Sequence, residues 1–275
     1  MKIALISSTQ DPASENIKAQ LLKNYSFETS SELFDSNAIL KTTINKKEIT
    51  LYTINSSLIH AEDIDYKIEA DVFVFLSKHR AEEGRASVTL HPIGNFGKAE
   101  FGGKDQSLCA CPSALLKDIF IELKKNIENT RYEATLEATH HGPFIEKPVL
   151  FLELGSTEEH WHDGEGALIV AKSLLSALEK EEKKYESVIV LGGTHYGHVP
   201  NKAMLETEYS VGHICPKYNF SNLSEQLLLE MVEKTEPKPS FVLLDWKGLG
   251  SEKQKIVEML EKNKIEYKRS DQLFK

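Results

Sequence analysis

The chain has 275 residues, of which 40% are hydrophobic and 27% charged, a composition typical of globular proteins and unlike that of disordered or fibrous chains. Its formal net charge of −9 argues against a surface coated with basic residues for nucleic acid, so any nucleic-acid contact should be small and confined. Three cysteines are too few for a disulfide framework, and neither a membrane span nor a signal peptide is evident, so we expect a cytoplasmic protein.

The amino-terminal part of the chain alternates strand patterns with helical ones. Lys2–Ser7 predicts a buried strand, and Ser14–Asn24 predicts a helix that Ser14 could cap. Ala38–Ile44 and Glu48–Ile54 predict a hairpin. Asp71–Leu76 is a short continuous apolar run, which is typical of a strand buried on both faces.

An irregular stretch rich in glycine, histidine and charge follows at about 77–112. Loops of this length are uncommon inside compact domains and are usually functional. The glycines of this stretch make a lid that closes over a substrate plausible, and a disordered loop is nearly as plausible. We therefore expect a long functional loop here.

The rest of the chain repeats the alternation of strands and helices. Arg131–Thr139 has a period near two, and further strands are predicted at Val149–Leu154, Val188–Leu191, Phe241–Leu244 and Ile265–Tyr267. Helices are predicted at Ser113–Glu128, Glu165–Glu182, Asn222–Lys234 and Ser251–Asn263. The pattern predicts one α/β domain over 1–275, a three-layer α/β/α sandwich around a mixed, mostly parallel sheet.

Polar and glycine-rich segments come directly after most of these strands. They are Ser77–Arg80, His140–Pro143, Gly155–Thr157, Gly192–His195 and Trp246–Gly248. Ligands of open α/β sheets bind beyond the carboxyl ends of the strands, so these segments should converge on one site. Taken singly, each is weak evidence, because a histidine after a strand is more often a surface or hydrogen-bonded residue than a ligand.

Several common kinds of site find no support in the sequence. The Gly192-Gly193 pair could present backbone N–H groups to an oxyanion, but it lacks the spacing of dinucleotide and P-loop motifs. No Gly-x-Ser-x-Gly motif of the usual serine hydrolases occurs. Cys109 and Cys111 without a second pair of cysteines make a poor zinc site.

Six motifs taken together are more specific. In order they are SKHRAEEGRASVTLHPIGNF, EATHHGP, FLELGSTEEHW, LGGTHY, VGHICPKY and LDWKGL. This series resembles the D-aminoacyl-tRNA deacylases of archaea and plants over nearly the whole chain. The resemblance implies a zinc-dependent esterase that frees a D-amino acid from the 3′ end of a mischarged tRNA. It also implies a fold similar to nucleoside phosphorylases and peptidyl-tRNA hydrolase.

The resemblance also suggests roles for individual residues. We predict His79, His91 and His195 as zinc ligands, because three protein ligands leave a fourth position open. His140 is predicted as the general base, and Glu153 as the group that orients it or another ligand. Oxyanion stabilisation is predicted from Lys247 and the Gly193 amide. A metal-free site in which His140 activates water directly fits the sequence equally well.

The predicted partner is a tRNA charged with a D-amino acid, and neither DNA nor a membrane is expected. The protein is expected to be a monomer. Histidines 160, 162 and 198 fall outside the positions that match the family pattern. Contacts to the substrate or the tRNA are predicted at Lys78, Arg80, Arg85, His141, Tyr196, Lys202, His213, Lys217 and Asp245.

Two other classes of function stay open at this stage. One is a nucleoside phosphorylase-like or amidase-like enzyme that acts on a small molecule, for which a closed pocket without a basic patch would be evidence. The other is a non-catalytic RNA-binding module, which the acidic net charge and the clustered histidines disfavour.

Overall fold

Two β-sheets organise the chain, one of eight strands and one of four, in a computed structural model that describes residues 1–181 and 183–274. The described strands are β1 (Lys2–Ser8), β2 (Glu28–Phe34), β3 (Asn37–Ile44), β4 (Lys47–Ile54), β5 (Val72–Lys78), β6 (Ser87–His91), β7 (Gly94–Asn95), β8 (Ser107–Leu108), β9 (Cys111–Pro112), β10 (Glu133–Leu136), β11 (Val149–Gly155), β12 (Glu186–Leu191), β13 (Tyr209–Cys215), β14 (Thr235–Glu236), β15 (Phe241–Leu244) and β16 (Tyr267–Arg269). The described helices are α1 (Pro12–Asn24), α2 (Ile64–Lys67), α3 (Ser113–Asn126), α4 (Glu158–Trp161), α5 (Gly164–Glu179), α6 (His198–Glu206), α7 (Glu225–Glu233), α8 (Lys253–Lys262) and α9 (Ser270–Leu273).

The eight-stranded sheet has the order β10-β6-β11-β5-β1-β4-β3-β2. Its four central strands, β11, β5, β1 and β4, are parallel, so their carboxyl ends meet at one edge. Strand β6 is antiparallel to β11, and the hairpin strands β3 and β2 continue antiparallel from β4. The predicted α/β class with a large, mostly parallel sheet is confirmed.

Strand β5 shows how the core is built on both faces of this sheet. Val74 and Leu76 point to a face covered by α1, α3 and α5, whereas Phe73 and Phe75 point to the opposite face. That second face is covered by irregular segments and the short helix α2. The ring of Phe75 stacks on Phe151 of β11 with centroids 4.9 Å apart. Burial on both faces explains why this strand is a continuous apolar run.

The four-stranded sheet has the order β13-β12-β15-β16 and is parallel throughout. One face packs on α7 and α8, and residues of its other face, such as Val188 and Val190, join the core of the large sheet. The segment after β10 joins the two sheets, because Ala138 N–H donates to the His195 carbonyl and Thr139 N–H to the Ile214 carbonyl. This junction brings the ends of strands from both sheets together.

Several predicted elements differ from the structure. Helix α1 begins at Pro12 and not at Ser14, because proline at the first helical position has no N–H to satisfy. Its cap is Asp11, whose Oδ1 accepts a hydrogen bond from Ser14 N–H at 3.0 Å. The stretch 77–112 contains β6, a fully buried strand of the large sheet. Its polar residues, Thr89 and His91, obscured the strand pattern.

Other elements were missed or shortened. The largely exposed strand β2, the strand β13 and the helix α6 have no counterpart among the predicted elements. Helix α5 ends at Glu179, and Glu182, the predicted end of that helix, lies outside the described residues. Over residues 1–181 and 183–274 no helix is both long enough and apolar enough to cross a membrane.

Candidate active site

A cavity of about 450 Å³ lies beyond the carboxyl ends of β5 and β11, at the junction of the two sheets. Its floor is formed by four histidines and two glutamates, and a fifth histidine, His91, is fully buried against His140 and His141. Strand ends supply each of them: β5 leads into His79, β6 ends at His91, β11 carries Glu153, and β12 leads into the loop with His195. The segment after β10 contributes Glu137, His140 and His141. We refer to these seven residues as the His/Glu cluster.

Three histidines of the cluster have one ring nitrogen committed to the backbone. Nδ1 of His91 lies 3.0 Å from the Pro92 carbonyl oxygen, Nδ1 of His140 lies 2.8 Å from that of Ala138, and Nδ1 of His141 lies 2.6 Å from that of Gly142. A carbonyl oxygen can only accept, so each Nδ1 carries the proton and each Nε2 keeps its lone pair when the ring is neutral. The ring nitrogens that these three side chains could offer to a metal ion lie within 4.8 Å of one another.

Two buried carboxylates sit beside these rings. Glu137 Oε2 accepts from Nε2 of His195 at 2.7 Å, and Glu137 Oε1 lies 3.1 Å from Nδ1 of His79. Glu153 Oε2 lies 3.4 Å from Nδ1 of His79 and 3.9 Å from Nε2 of His91. His79 therefore lies between two carboxylates, while its Nε2 is 3.1 Å from the Tyr196 hydroxyl oxygen.

The neighbours fix the charges of these groups. Burial alone would lower the pKa of His79, but the carboxylates of Glu137 and Glu153 outweigh it and raise the pKa to about 10. Burial would raise the pKa of both glutamates, yet the histidines around them hold both values below their usual range. Burial and nearby histidines lower the pKa of His140 and His141, for His141 to about 4. At neutral pH the cluster therefore holds two carboxylates, a His79 imidazolium, and neutral imidazoles at His140 and His141.

Two buried atoms of the cluster make no hydrogen bond within the described residues, Nε2 of His91 and Oε1 of Glu137. The 3.1 Å contact between Glu137 Oε1 and His79 lacks the alignment of a hydrogen bond. Buried acceptors are rarely left without a partner, so each atom marks a place for a cation or a proton donor. Burial would lower the pKa of His91, but Glu153 raises it, so a proton and a metal would compete for Nε2.

Among the residues that the structure describes, three overlapping groups of side chains have the spacing of metal ligands. They are His91 with His140 and His141, Glu137 with His140 and His195, and His79 with Glu137 and Glu153. Each group contains one of the predicted ligands His79, His91 and His195, and none contains all three. The structure therefore brings the predicted ligands into one cluster but distributes them among different candidate sites.

The other predicted site residues divide into two sets. Lys78, Arg80, His141 and Tyr196 line the cavity, as do the predicted catalytic residues His140 and Glu153. The described part of the cavity wall does not include Arg85, Gly193, Lys202, His213, Lys217, Asp245 or Lys247.

Local contacts account for the positions of the second set. Asp245 accepts from Gly248 N–H at 2.9 Å at the edge of the four-stranded sheet. Arg85 pairs with Glu83 and Glu133. The remaining contacts are those of Lys202 with Glu206, of the Lys217 N–H with the Gly193 carbonyl, and of the His213 ring with the Cys109 carbonyl and the Thr139 hydroxyl.

Glu137 is a member of the cluster that the sequence did not predict, although its carboxylate contacts three of the histidines. Its contacts reach His79, His140 and His195. The available signal was its position in the motif EATHHGP, three residues before His140. A glutamate at the end of a strand with period two would ordinarily face solvent, and here the loop that carries His195 covers it.

Comparison with known proteins agrees with this picture. A model of the family described as D-aminoacyl-tRNA deacylase matches residues 66–268. D-aminoacyl-tRNA deacylases of Thermococcus onnurineus and Archaeoglobus fulgidus are 32% and 34% identical to the chain, covering 94% and 92% of it and 96% and 90% of the relatives. A crystal structure of a conserved protein of unknown function is 33% identical, with a TM-score of 0.88, and the match covers 99% of this chain and 96% of that one.

Proposed function

The chain belongs to the D-aminoacyl-tRNA deacylase family, and we propose that its His/Glu cluster is where the ester bond of D-aminoacyl-tRNA is hydrolysed. The products are a free D-amino acid and tRNA, so the enzyme removes mischarged tRNA from translation. The observation that carries this assignment is the His/Glu cluster, six of whose seven side chains line one cavity and two of whose buried atoms have no hydrogen-bond partner within the described residues. Family membership disfavours a nucleoside phosphorylase-like or amidase-like enzyme.

The donor set of the cluster suits zinc. His91, His140 and His141 each keep an Nε2 lone pair, and a backbone carbonyl fixes the orientation of each ring, as is usual for histidines that bind metals. These three side chains would hold the ion. Bound there, zinc would supply Lewis-acid chemistry, polarising the ester carbonyl and lowering the pKa of water to about 7.

Glu137 is the group best placed to move the proton. Its pKa is held well below the usual range, so it is ionised at neutral pH, and its Oε1 has no hydrogen-bond partner within the described residues. His195 donates to Oε2 and keeps the carboxylate in place. In the proposed reaction Glu137 takes a proton from the attacking water while the C–O bond to water forms. It returns that proton to the ribose oxygen as the ester bond breaks.

The developing negative charge on the carbonyl oxygen needs stabilisation within the cavity. The His79 imidazolium is buried there, and Tyr196, whose hydroxyl is bonded to Nε2 of His79, is 40% exposed at the cavity wall. These two groups take the role that the sequence suggested for Lys247 and Gly193, which lie outside the described cavity wall. A fixed positive charge in a buried site stabilises an oxyanion more strongly than it would in water.

His140 keeps a second possible role in a site without metal. Its imidazole is neutral, and its Nε2 lies 3.8 Å from Oε2 of Glu137, so the two acceptors face one another across a gap. A water that bridges these two acceptors from the cavity side could give its proton to His140 directly. Measuring the zinc content of the purified protein, before and after chelation, distinguishes the two mechanisms when activity is followed in parallel.

Activity on charged tRNA tests the proposal as a whole. Purified protein is incubated with D-Tyr-tRNA and L-Tyr-tRNA at equal concentration, and the free amino acid is measured over time. We expect the D-ester to be hydrolysed much faster than the L-ester. Equal rates on the two esters, or hydrolysis of neither at micromolar enzyme, would refute it.

A further inference from the structure

A second cavity, of about 470 Å³, lies on the other side of the tandem histidines. His140, His141 and Phe101 line both this cavity and the one described above. The backbone fixes Phe101 beside the histidines, because Gly142 N–H donates to its carbonyl oxygen at 3.1 Å. A Cβ on Gly142 would clash with the backbone of Gly102 and Gly103, so only glycine permits this close packing. The two cavities therefore meet at His140 and His141.

The walls of the two cavities differ in chemistry. The first cavity carries three buried carboxylates, those of Asp11, Glu137 and Glu153, which suit the ammonium group of an amino acid. The second cavity presents two exposed aromatic rings, Phe101 at 66% and Tyr218 at 57% exposure.

Side-chain amides complete the wall of the second cavity. Asn95, Asn219 and Asn222 lie around the two rings, and each amide offers both hydrogen-bond donors and acceptors. Flat rings combined with amides are the means by which proteins bind an unpaired base.

The chemistry of the substrate requires two compartments that meet at the bond to be broken. An aminoacyl ester joins an amino acid to the ribose of the terminal adenosine, so the acyl group and the nucleoside lie on opposite sides of the bond that breaks. That bond must sit where the two cavities meet. Tyr218 also connects the compartments, because its hydroxyl lies 2.9 Å from Nδ1 of His195, a member of the His/Glu cluster.

We infer that the second cavity binds the 3′-terminal adenosine of the tRNA, with the adenine stacked on Phe101 and Tyr218, while the first cavity receives the D-amino acid. This inference rests on the proposed function, since it assigns the two halves of that substrate. It makes the terminal nucleoside, and not only the tRNA phosphates, a source of affinity. The aromatic rings thereby position the ester over the histidines.

Calorimetric binding of two stable analogues tests the assignment without any turnover. One is 3′-(D-tyrosylamino)-3′-deoxyadenosine, and the other is the same compound without its base. In the wild-type protein the base should tighten binding by about 5- to 150-fold, the usual contribution of one stacked base. Phe101→Leu and Tyr218→Leu should each reduce this ratio substantially.

Ring-retaining variants serve as matched controls. Phe101→Tyr should preserve the ratio, and Tyr218→Phe should preserve it while losing the contact with His195. If Tyr218→Leu lowers the melting temperature, the test rests on the affinity ratio of Phe101→Leu, because the Phe101 ring is exposed. A wild-type ratio near one, a ratio that the leucine variants leave unchanged, or no binding of either analogue would overturn the inference. Failure of the proposed function would instead appear as absent D-Tyr-tRNA hydrolysis by the wild-type enzyme.

Discussion

The buried imidazolium of His79 should make stability depend on pH in alkaline solution. Its pKa is raised to about 10 by Glu137 and Glu153, against 6.5 for an ordinary histidine. A raised folded-state pKa contributes stability that is fully present below pH 6.5 and is lost as pH rises through about 10. The difference corresponds to about 5 kcal/mol at most, because each pH unit is worth about 1.4 kcal/mol.

Urea unfolding of the chelated protein between pH 6 and pH 10 measures this contribution of the His79 charge to stability. The free energy of unfolding should fall across that range, and in a folded His79→Gln variant the fall should be much smaller. His213→Gln is the matched control, because His213 is also buried but its pKa is lowered to about 4, so its linkage lies below pH 6.5. NMR titration of the His79 ring gives the same answer if the variant does not fold. A His79 that titrates near pH 6.5 would refute the charge assignment of the cluster.

Two further predictions concern the metal and the tRNA. His141→Ala should remove bound zinc and activity together, and zinc should restore activity to the chelated wild-type protein; a stripped wild-type protein that stays fully active would show that protein groups alone activate the water. Because Lys78 and Arg80 are the predicted basic contacts that line the cavity, the log–log dependence of tRNA affinity on salt should be shallow, and Lys78→Ala should reduce its slope by about 0.7–0.9. The ammonium group of Lys202 pairs with Glu206 away from the described cavity wall, so Lys202→Ala should leave the slope unchanged. A wild-type slope steeper than about −5 would reveal a broad basic face.

The strands that could be predicted are those that are buried on both faces and therefore have continuous apolar sequences. Strands β5 and β11 are buried along most of their length, so their sequences contain little except apolar residues at those positions. Strand β6 is equally buried but carries Thr89 and His91, whose polar atoms face the site. The periodicity and hydrophobicity of a sequence cannot identify a strand whose buried side chains are polar because they belong to a site.

The position of the site could be predicted in outline, because parallel strands place their carboxyl ends together. The structure does bring His79, His140 and His195 into one cavity. The local pattern does not reveal that the strands form two sheets, so it predicts Gly193 and Lys247 for the same cavity although the described wall does not include them. The partition of strands between sheets depends on long-range packing, which a local pattern does not contain.

Glu137 illustrates the same limit for a single residue. It is buried next to the hydrogen bond from Ala138 N–H to the carbonyl of His195, which joins the two sheets, and the His195 ring lies 2.7 Å from its carboxylate. The hydrogen bond between Ala138 and His195 spans 57 residues of sequence, and no local feature of the motif EATHHGP reports it.

Single-turnover hydrolysis of D-Tyr-tRNA by Glu137→Gln, compared with Glu153→Gln, tests most directly whether the cluster performs the reaction as proposed. Both changes remove one buried carboxylate next to His79 and preserve side-chain shape. At saturating enzyme we expect Glu137→Gln to lower the rate constant by about 10²–10⁴-fold, the usual contribution of a positioned general base. Glu153→Gln, which removes a group that orients His79 and His91, should lower it at least about tenfold less. A folded Glu137→Gln enzyme within about threefold of the wild-type rate, or one faster than Glu153→Gln, would contradict the role of Glu137 as the general base.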